Sequence, residues 1–223
     1  MFRRAKDVEK KDFSFGISQL DEMVDHRGGI LLFRTNSRKF AFEVGSMALM
    51  KNMEEGKKEV LLHLVDYHER YWTIDTDRLM ELAQKFGMDK KKIMDKINVI
   101  RAFNKGQMDS GGNWESIKDF VGEDTSLLMV DSMEELYNSK YSDDQEAKEG
   151  IRKLVSRLHQ TSIECDCPVL LFDYSAGRLD SFLSQMACTV VNADVTDQGM
   201  ALKVLKGVSD PNSQLKKKVE WRR

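Results

Sequence analysis

Between Phe33 and Phe40 the chain reads Arg34-Thr35-Asn36-Ser37-Arg38-Lys39, three cations and two hydroxyls within six residues. Guanidinium and ammonium donors neutralise phosphate charge, and hydroxyls add hydrogen bonds to it. The flanks give the stretch a setting. Ile30 to Phe33 is an apolar run of strand length, and Phe40, Val44, Met47, Ala48 and Met50 recur at helical spacing after it. A strand, a loop and a helix with a Lys near its start form the context of the G-x-x-x-x-G-K-[ST] phosphate loop. That loop turns backbone N–H groups inward around the phosphates, which needs glycines at positive φ and room where a Cβ would sit. No glycine stands between Phe33 and Phe40, and the residue after Lys39, which should offer a hydroxyl to Mg²⁺, is Phe40. Two readings stay open: a remnant nucleotide or anion site made by Arg34, Ser37, Arg38 and Lys39, or a basic surface turn. Neither predicts ATP hydrolysis.

Asp131 closes the apolar run Leu127-Leu128-Met129-Val130. A carboxylate there, downstream of a phosphate loop, is where a Walker B residue holds Mg²⁺. An Asp at a strand end also caps turns and helices, so the position alone does not decide between the two. Asp66 and Asp173 close two more apolar runs, Val60 to Val65 and Pro168 to Phe172. Ligands of open α/β sheets sit beyond the carboxyl ends of the strands, which would gather these carboxylates near the Arg34–Lys39 loop. Other chemistry finds little support. Cys165, Cys167 and Cys188 are odd in number and lack a second pair at zinc spacing, and His26, His63, His68 and His159 show no i, i+4 pairing. The thiols are expected to be reduced and structural, and neither a metal nor a bound cofactor is expected.

The elements that must position these residues alternate. Phe13 to Asp25 predicts a short strand, a turn at Gly16 and a helix begun by Ser18 with Leu20, Met23 and Val24 on one face. After the strand, loop and helix already described, Val60 to Val65 is a buried strand. Asp77 to Phe86 predicts a helix closed by Gly87, Ile97 to Ala102 a strand, Trp114 to Val121 a short helix, and Ser126 to Val130 a central strand. A long helix over Asp143 to Ile163 follows, then a strand at Pro168 to Phe172 and a helix at Leu179 to Met186. Cys188 to Val191 and Ala201 to Leu205 predict two late antiparallel strands, with Val219 to Trp221 an edge strand. Strands alternating with helices predict an α/β fold, a doubly wound, mainly parallel sheet flanked by helices.

Apolar content of 41% against 32% charged residues describes a globular chain rather than a disordered one. Residues 1–12 form a charged lead-in, and 13–223 suffice for a single core domain. Lys plus Arg number 35 against 37 Asp plus Glu, so no overall basic field points to nucleic acid. Any contact with DNA must be local, at Arg34, Arg38 and Lys39 or at Lys216-Lys217-Lys218 with Arg222-Arg223, and is expected to be weak, salt-sensitive and without sequence preference. No apolar stretch has membrane-spanning length, and the polar start lacks a signal peptide's apolar core. The expectation is a soluble, cytoplasmic chain.

The order of pieces resembles the ATPase core of the RecA/RadA recombinases, and particularly the archaeal RadA paralogues that consist of the core alone. Phe15-Gly16-Ile17-Ser18-Gln19-Leu20-Asp21-Glu22-Met23 is similar to the recombinases' S-T-G-x-x-x-L-D-x-L-L. Leu82-Ala83-Gln84-Lys85-Phe86-Gly87-Met88 and Ile97-Asn98-Val99-Ile100-Arg101-Ala102-Phe103-Asn104 resemble A-x-x-F-G-L and I-x-V-x-R-A-x-N, the most specific of the likenesses. Leu127 to Ser132 resembles the Walker B strand, and Phe172-Asp173-Tyr174 lies where those proteins have a strand ending in Asn-Gln. The resemblance covers nearly the whole chain and implies a RecA-like fold and a role in homologous recombination and DNA repair.

Departures from the pattern carry as much information. The general-base Glu of the recombinases is matched by His68, with Glu69 one place late, and the γ-phosphate-sensing Asn-Gln by Asp173-Tyr174. The first DNA-binding loop falls in an acidic stretch near Asn138 to Glu149, and the second is cut to Ser175-Ala176-Gly177-Arg178. Several losses from one catalytic set favour a core-only paralogue with a degenerate Walker A, an accessory factor that docks on a recombinase. The alternative is a nucleotide-binding RecA/KaiC-like ATPase with an atypical phosphate loop. Phe2-Arg3-Arg4-Ala5 resembles the F-x-x-A tether of the recombinases, so the resemblance implies that Phe2 and Ala5 engage a RadA-type recombinase or a second copy of this chain.

Overall fold

The computed structural model describes residues 13–24, 29–53, 58–64, 76–102, 120–131, 144–174, 180–196, 199–206 and 216–219; in 58–64 and 216–219 the backbone path alone is described. Its eight described strands form one sheet in the order β3-β2-β4-β5-β1-β6-β7-β8. The strands are β1 (Ile30–Thr35), β2 (Lys58–Leu64), β3 (Ile97–Ala102), β4 (Thr125–Asp131), β5 (Val169–Asp173), β6 (Thr189–Thr196), β7 (Gly199–Lys206) and β8 (Lys216–Val219). Strands β1 to β6 pair in parallel, and β7 and β8 continue the sheet antiparallel. This is the expected α/β architecture, RecA-like, with its late antiparallel strands.

Burial follows from composition. Val169 to Asp173 of β5 are all buried, as are Thr125 to Val130 of β4, because parallel strands covered on both faces need apolar side chains in both directions. Alternation then sends Leu32, Leu128, Val130, Leu171 and Val190 into a core on one face, and Leu31, Phe33, Met129, Leu170, Phe172 and Val191 into a core on the other. The first core is closed by α5 (Asp144–Glu164), whose Ala147, Ile151, Leu154, Val155 and Leu158 lie along one helical stripe, and by Leu183 of α6 (Asp180–Met186). Burying each of the larger aliphatic side chains contributes about 1.5–3 kcal/mol. The second core is closed by α2 (Arg38–Asn52), through Phe40, Ala41, Val44, Ala48 and Leu49. Gly45 lets α2 lie close to the sheet, since a Cβ there would fall 2.7 Å from the Met129 sulfur and 3.0 Å from the Phe172 ring.

Four boundaries differ from expectation. Phe13 to Phe15 is not a strand: the Phe15 N–H donates to Asp21 Oδ1 at 2.6 Å, and Ser14 exchanges hydrogen bonds with the Asn52 side chain at 3.1 and 2.6 Å. Side chains satisfy backbone that a neighbouring strand would otherwise satisfy, and Gly16 turns the chain at φ +69° into the four-residue α1 (Ser18–Asp21). Helix α4 (Lys90–Lys96) was hidden by its lysines; Asp89 caps it and Ile93 is its buried anchor. Strands β6 and β7 run several residues beyond the apolar runs that announced them, because their outer ends alternate polar with apolar. The closing strand begins earlier than expected, at Lys216, and is described to Val219; Glu220 and Trp221 of its expected span lie outside the described residues. Helix α3 (Thr76–Lys85) matches its expected span to within a residue. Most of the expected helix at Trp114 to Val121 lies outside the described residues, as do Phe2, Ala5, Asp66 and His68.

Candidate functional site

The connection from β1 to α2 is shorter than its sequence suggests. Arg34 and Thr35 still belong to the strand and Arg38 already belongs to the helix, leaving Asn36 and Ser37 between them. Side chains of the stretch bind its own backbone. Thr35 Oγ1 accepts from the Ser37 N–H at 3.1 Å, Ser37 Oγ caps the helix by accepting from the Phe40 N–H at 3.3 Å, and the Ser37 carbonyl accepts from the Ala41 N–H at 3.0 Å. Asn36 forms a paired contact with β6, donating to the Val195 carbonyl at 3.0 Å and accepting from the Val195 N–H at 2.9 Å. Two amides at the helix start are therefore spent on the cap and the turn.

The sheet divides the expected cluster of Arg34, Arg38 and Lys39. Arg34 follows Phe33 in β1, so period-two alternation turns it to the α5 face, where its Nε lies 3.2 Å from Asp173 Oδ2. The two residues are in register across β1 and β5, and both are withdrawn from water, with side chains 13% and 1% exposed. Arg38 stands on the opposite face at the start of α2, its guanidinium carbon 5.0 Å from the centroid of the Tyr174 ring. Lys39 is exposed and Phe40 is buried in the α2-side core. The expectation of one cationic cluster fails for a geometric reason: Arg34 sits on a strand and Arg38 on a helix that covers only one of the sheet's faces.

Asp131 closes β4 on the α2 face, and the Tyr174 hydroxyl donates a hydrogen bond to its Oδ1. Tyr174 follows Asp173 and so points to the other side of the sheet from it. Its phenol is pushed well above the ordinary tyrosine range, first by burial, then by the Asp131 carboxylate that it both faces and binds. The nearby Arg38 opposes that shift, and Asp173 adds to it. The ring is thus held between a carboxylate at its hydroxyl and a guanidinium near its face, and stays protonated at any ordinary pH.

Of the expected site residues, the structure brings Arg38 and Asp131 together through Tyr174 and separates Arg34, which it joins to Asp173. Ser37 serves as a helix cap. Tyr174 and Asn36 were not among the expected site residues. The signal for Tyr174 was a polar-tipped aromatic directly after a buried strand, since such a hydroxyl needs a partner once it is covered. For Asn36 there was no local signal, because Val195 is 159 positions away. Among the described residues, no group of three His, Cys, Asp or Glu side chains could hold a metal ion, and no helix is long and apolar enough to cross a membrane.

Residues 33–182, more than half of the chain, match the family model for Rad51. No curated protein matches the sequence. The matched span runs from the last core residue of β1 through α2, Asp131, α5 and Tyr174 into α6, and with it the chain belongs to the Rad51 family, a recombinase family whose members act in recombination and repair.

Proposed function

We propose that this chain is a non-catalytic paralogue within its family, with a degenerate Walker A, that serves recombination and repair by docking on a recombinase. The observation that supports this most directly is the hydrogen bond from Tyr174 to Asp131. A magnesium–nucleotide would need the Asp131 carboxylate for its metal, a hydroxyl beside Lys39 and free amides around the phosphates. Here the carboxylate accepts from Tyr174, Arg38 lies near the Tyr174 ring, Phe40 is a core residue, and the Ser37 and Phe40 amides are bound by side chains of the same turn. These residues do not fit the group. Docking would fall to Phe2 and Ala5, an aromatic and a small anchor on a segment able to add to a sheet edge of a RadA-type recombinase or of a second copy.

Two measurements test the reading. Magnesium–ATP at ten times a meaningful Kd would stabilise a binder by about 1.4 kcal/mol, a melting shift of roughly 3–6 °C. No shift is expected, and no turnover; turnover abolished by Lys39→Ala would overturn the non-catalytic reading. Calorimetry against a RadA-type recombinase should then show Phe2→Ala weakening association by about 2–4 kcal/mol, with Ala5→Glu weakening it too. Equal affinities in all three proteins would remove the tether.

A further inference from the structure

Two of the three cysteines meet at the end of α5. The helix closes in a left-handed cap: the Cys165 N–H donates to the Thr161 carbonyl at 2.9 Å, Asp166 turns at φ +48°, and the Cys167 N–H reaches back to the Ser162 carbonyl at 3.2 Å. Among the described residues Asp166 is the one non-glycine with a positive φ, in a place that glycine usually takes. Its conformation sets a distance. Two steps of about 3.8 Å between successive Cα atoms, bent to roughly 90° at a left-handed residue, bring the Cα atoms of Cys165 and Cys167 to about 5.4 Å. A disulfide bridges that separation, whereas an extended residue between them would hold them about 7 Å apart. Both side chains also go to one place. Cys167 is buried in the α5-side core, and Cys165, half-buried, packs against the same core. Ser162 Oγ fixes the far side of the turn by donating to the Cys167 carbonyl at 2.6 Å, and the Cys165 thiol donates to the Val121 carbonyl at 3.8 Å. Among the described residues no third His, Cys, Asp or Glu completes a metal-binding group with them, so the chemistry of thiol with thiol comes first.

We propose that Cys165 and Cys167 form a reversible thiol–disulfide site whose oxidant is a low-molecular-weight disulfide of the glutathione class. The Cys165 thiolate attacks one sulfur of that disulfide; its S–S bond breaks, one small thiol leaves with the proton that Cys165 gave up, and a mixed disulfide remains on Cys165. The Cys167 thiolate then attacks the Cys165 sulfur, the mixed bond breaks, and the second small thiol leaves with the Cys167 proton. The protein dithiol loses two electrons and two protons, and the small disulfide gains both. Burial assigns the order, since Cys167 is 2% exposed and Cys165 is partly open to solvent. A ring around a single intervening residue is strained, and strained disulfides are of the labile, regulatory kind. Closing it takes the proton of the Cys165 thiol and so ends the hydrogen bond to Val121, which ties the end of α5 to the segment that enters β4. The site stands apart from the tether and from the question of ATP, since neither involves these residues.

The test uses the full chain carrying Cys188→Ser, which removes the exposed third thiol. The protein is held in oxidised glutathione, quenched with acid, alkylated with N-ethylmaleimide and weighed intact. The expected product is lighter than the reduced protein by two hydrogens, takes up no maleimide, runs as a single chain on a denaturing gel without reductant, and recovers both thiols in dithiothreitol. Cys167→Ser should stop at one glutathionyl group on Cys165, and Cys165→Ser should react about tenfold more slowly or slower still, since the buried thiol alone remains. Asp166→Val, which disfavours the left-handed turn, should shift the product from the internal bond to the mixed disulfide by about threefold or more, and Asp166→Gly, which favours the turn, should not. If the serine or valine variants unfold, the product of the parent decides alone. A parent that ends as a stable mixed disulfide, a bond between two chains, or equal reaction rates at Cys165 and Cys167 would each overturn the proposal.

Discussion

Replacing Tyr174 with Phe removes one oxygen and leaves the ring beside Arg38, so the variant isolates the hydrogen bond to Asp131. Hydrogen bonds to a charged acceptor contribute about 1.5–3 kcal/mol net, and one made by a largely desolvated phenol belongs within that range. A loss near 2 kcal/mol lowers the melting temperature of a chain of this length by roughly 4–8 °C. The pH dependence supplies a sharper test. Burial and the Asp131 carboxylate raise the folded pKa of Tyr174 above its ordinary value of 10.0, so its contribution is fully present below that value and is lost as pH rises through the folded pKa. In the unfolded chain the phenol ionises first, favouring unfolding of the wild type by up to about 1.4 kcal/mol per pH unit, while the Phe variant has no such group. Urea melts of both proteins from pH 7 to 11 should therefore show a constant stability gap up to about pH 9 that narrows above pH 10. A gap that stays flat to pH 11, or no gap at neutral pH, would refute the account of this site as an internally satisfied network.

Three further outcomes follow from the same geometry. Arg34→Met removes the ion-pair partner of the buried Asp173 carboxylate and should cost about 3–5 kcal/mol, most of it recovered in Arg34→Met/Asp173→Leu; urea melts in which the double variant is no more stable than the single would refute the pairing. Asp21→Ala removes the acceptor shared by the Ser14 hydroxyl, at 2.7 Å, and the Phe15 amide, and should cost about 2–3 kcal/mol; Gly16→Ala, at φ +69°, should cost at least about 1 kcal/mol, and thermal melts check both. Ser37→Ala should cost about 1 kcal/mol through loss of the α2 cap, whereas Lys39→Ala, two positions along and exposed, should stay within about 0.5 kcal/mol of wild type, a contrast that calorimetric melts can resolve.

The fold was legible wherever burial forces composition. Leu127 to Val130 and Val169 to Phe172 are apolar without interruption because both faces of these parallel strands are covered, and Val60 to Val65 is broken only by His63. Where one face is wet the signal thins. Strand β7 alternates Met200, Leu202 and Val204 with Ala201, Lys203 and Leu205, and α4 buries Ile93 among lysines, so their extents had to come from hydrogen bonding. Short-range satisfaction was equally hidden at Phe13 to Phe15, where acceptors on Asp21 and Asn52 replace the neighbouring strand that the apolar pattern seemed to require.

The site was legible in its residue types and not in its partners, and the reason lies in a parity rule that acts across long separations. Arg34 and Arg38 are four residues apart, which on a continuous helix would place them on one face. The break after Thr35 changes the period from 2 to 3.6 between them, and the sheet then stands between their side chains. The same rule parts the adjacent pair Asp173 and Tyr174, sending one to Arg34 and the other to Asp131. Asp173 at the end of β5 and Tyr174 directly after it thereby engage Asp131 and two of the three cations that marked the stretch for phosphate. On the proposed reading, a magnesium–nucleotide that used the Asp131 carboxylate would have to break its hydrogen bond from Tyr174. If the proposed reading holds, Tyr174→Phe, which frees the Asp131 carboxylate, should raise the melting shift produced by magnesium–ATP above that of the wild type, and thermal melts with equal shifts in the two proteins would refute this.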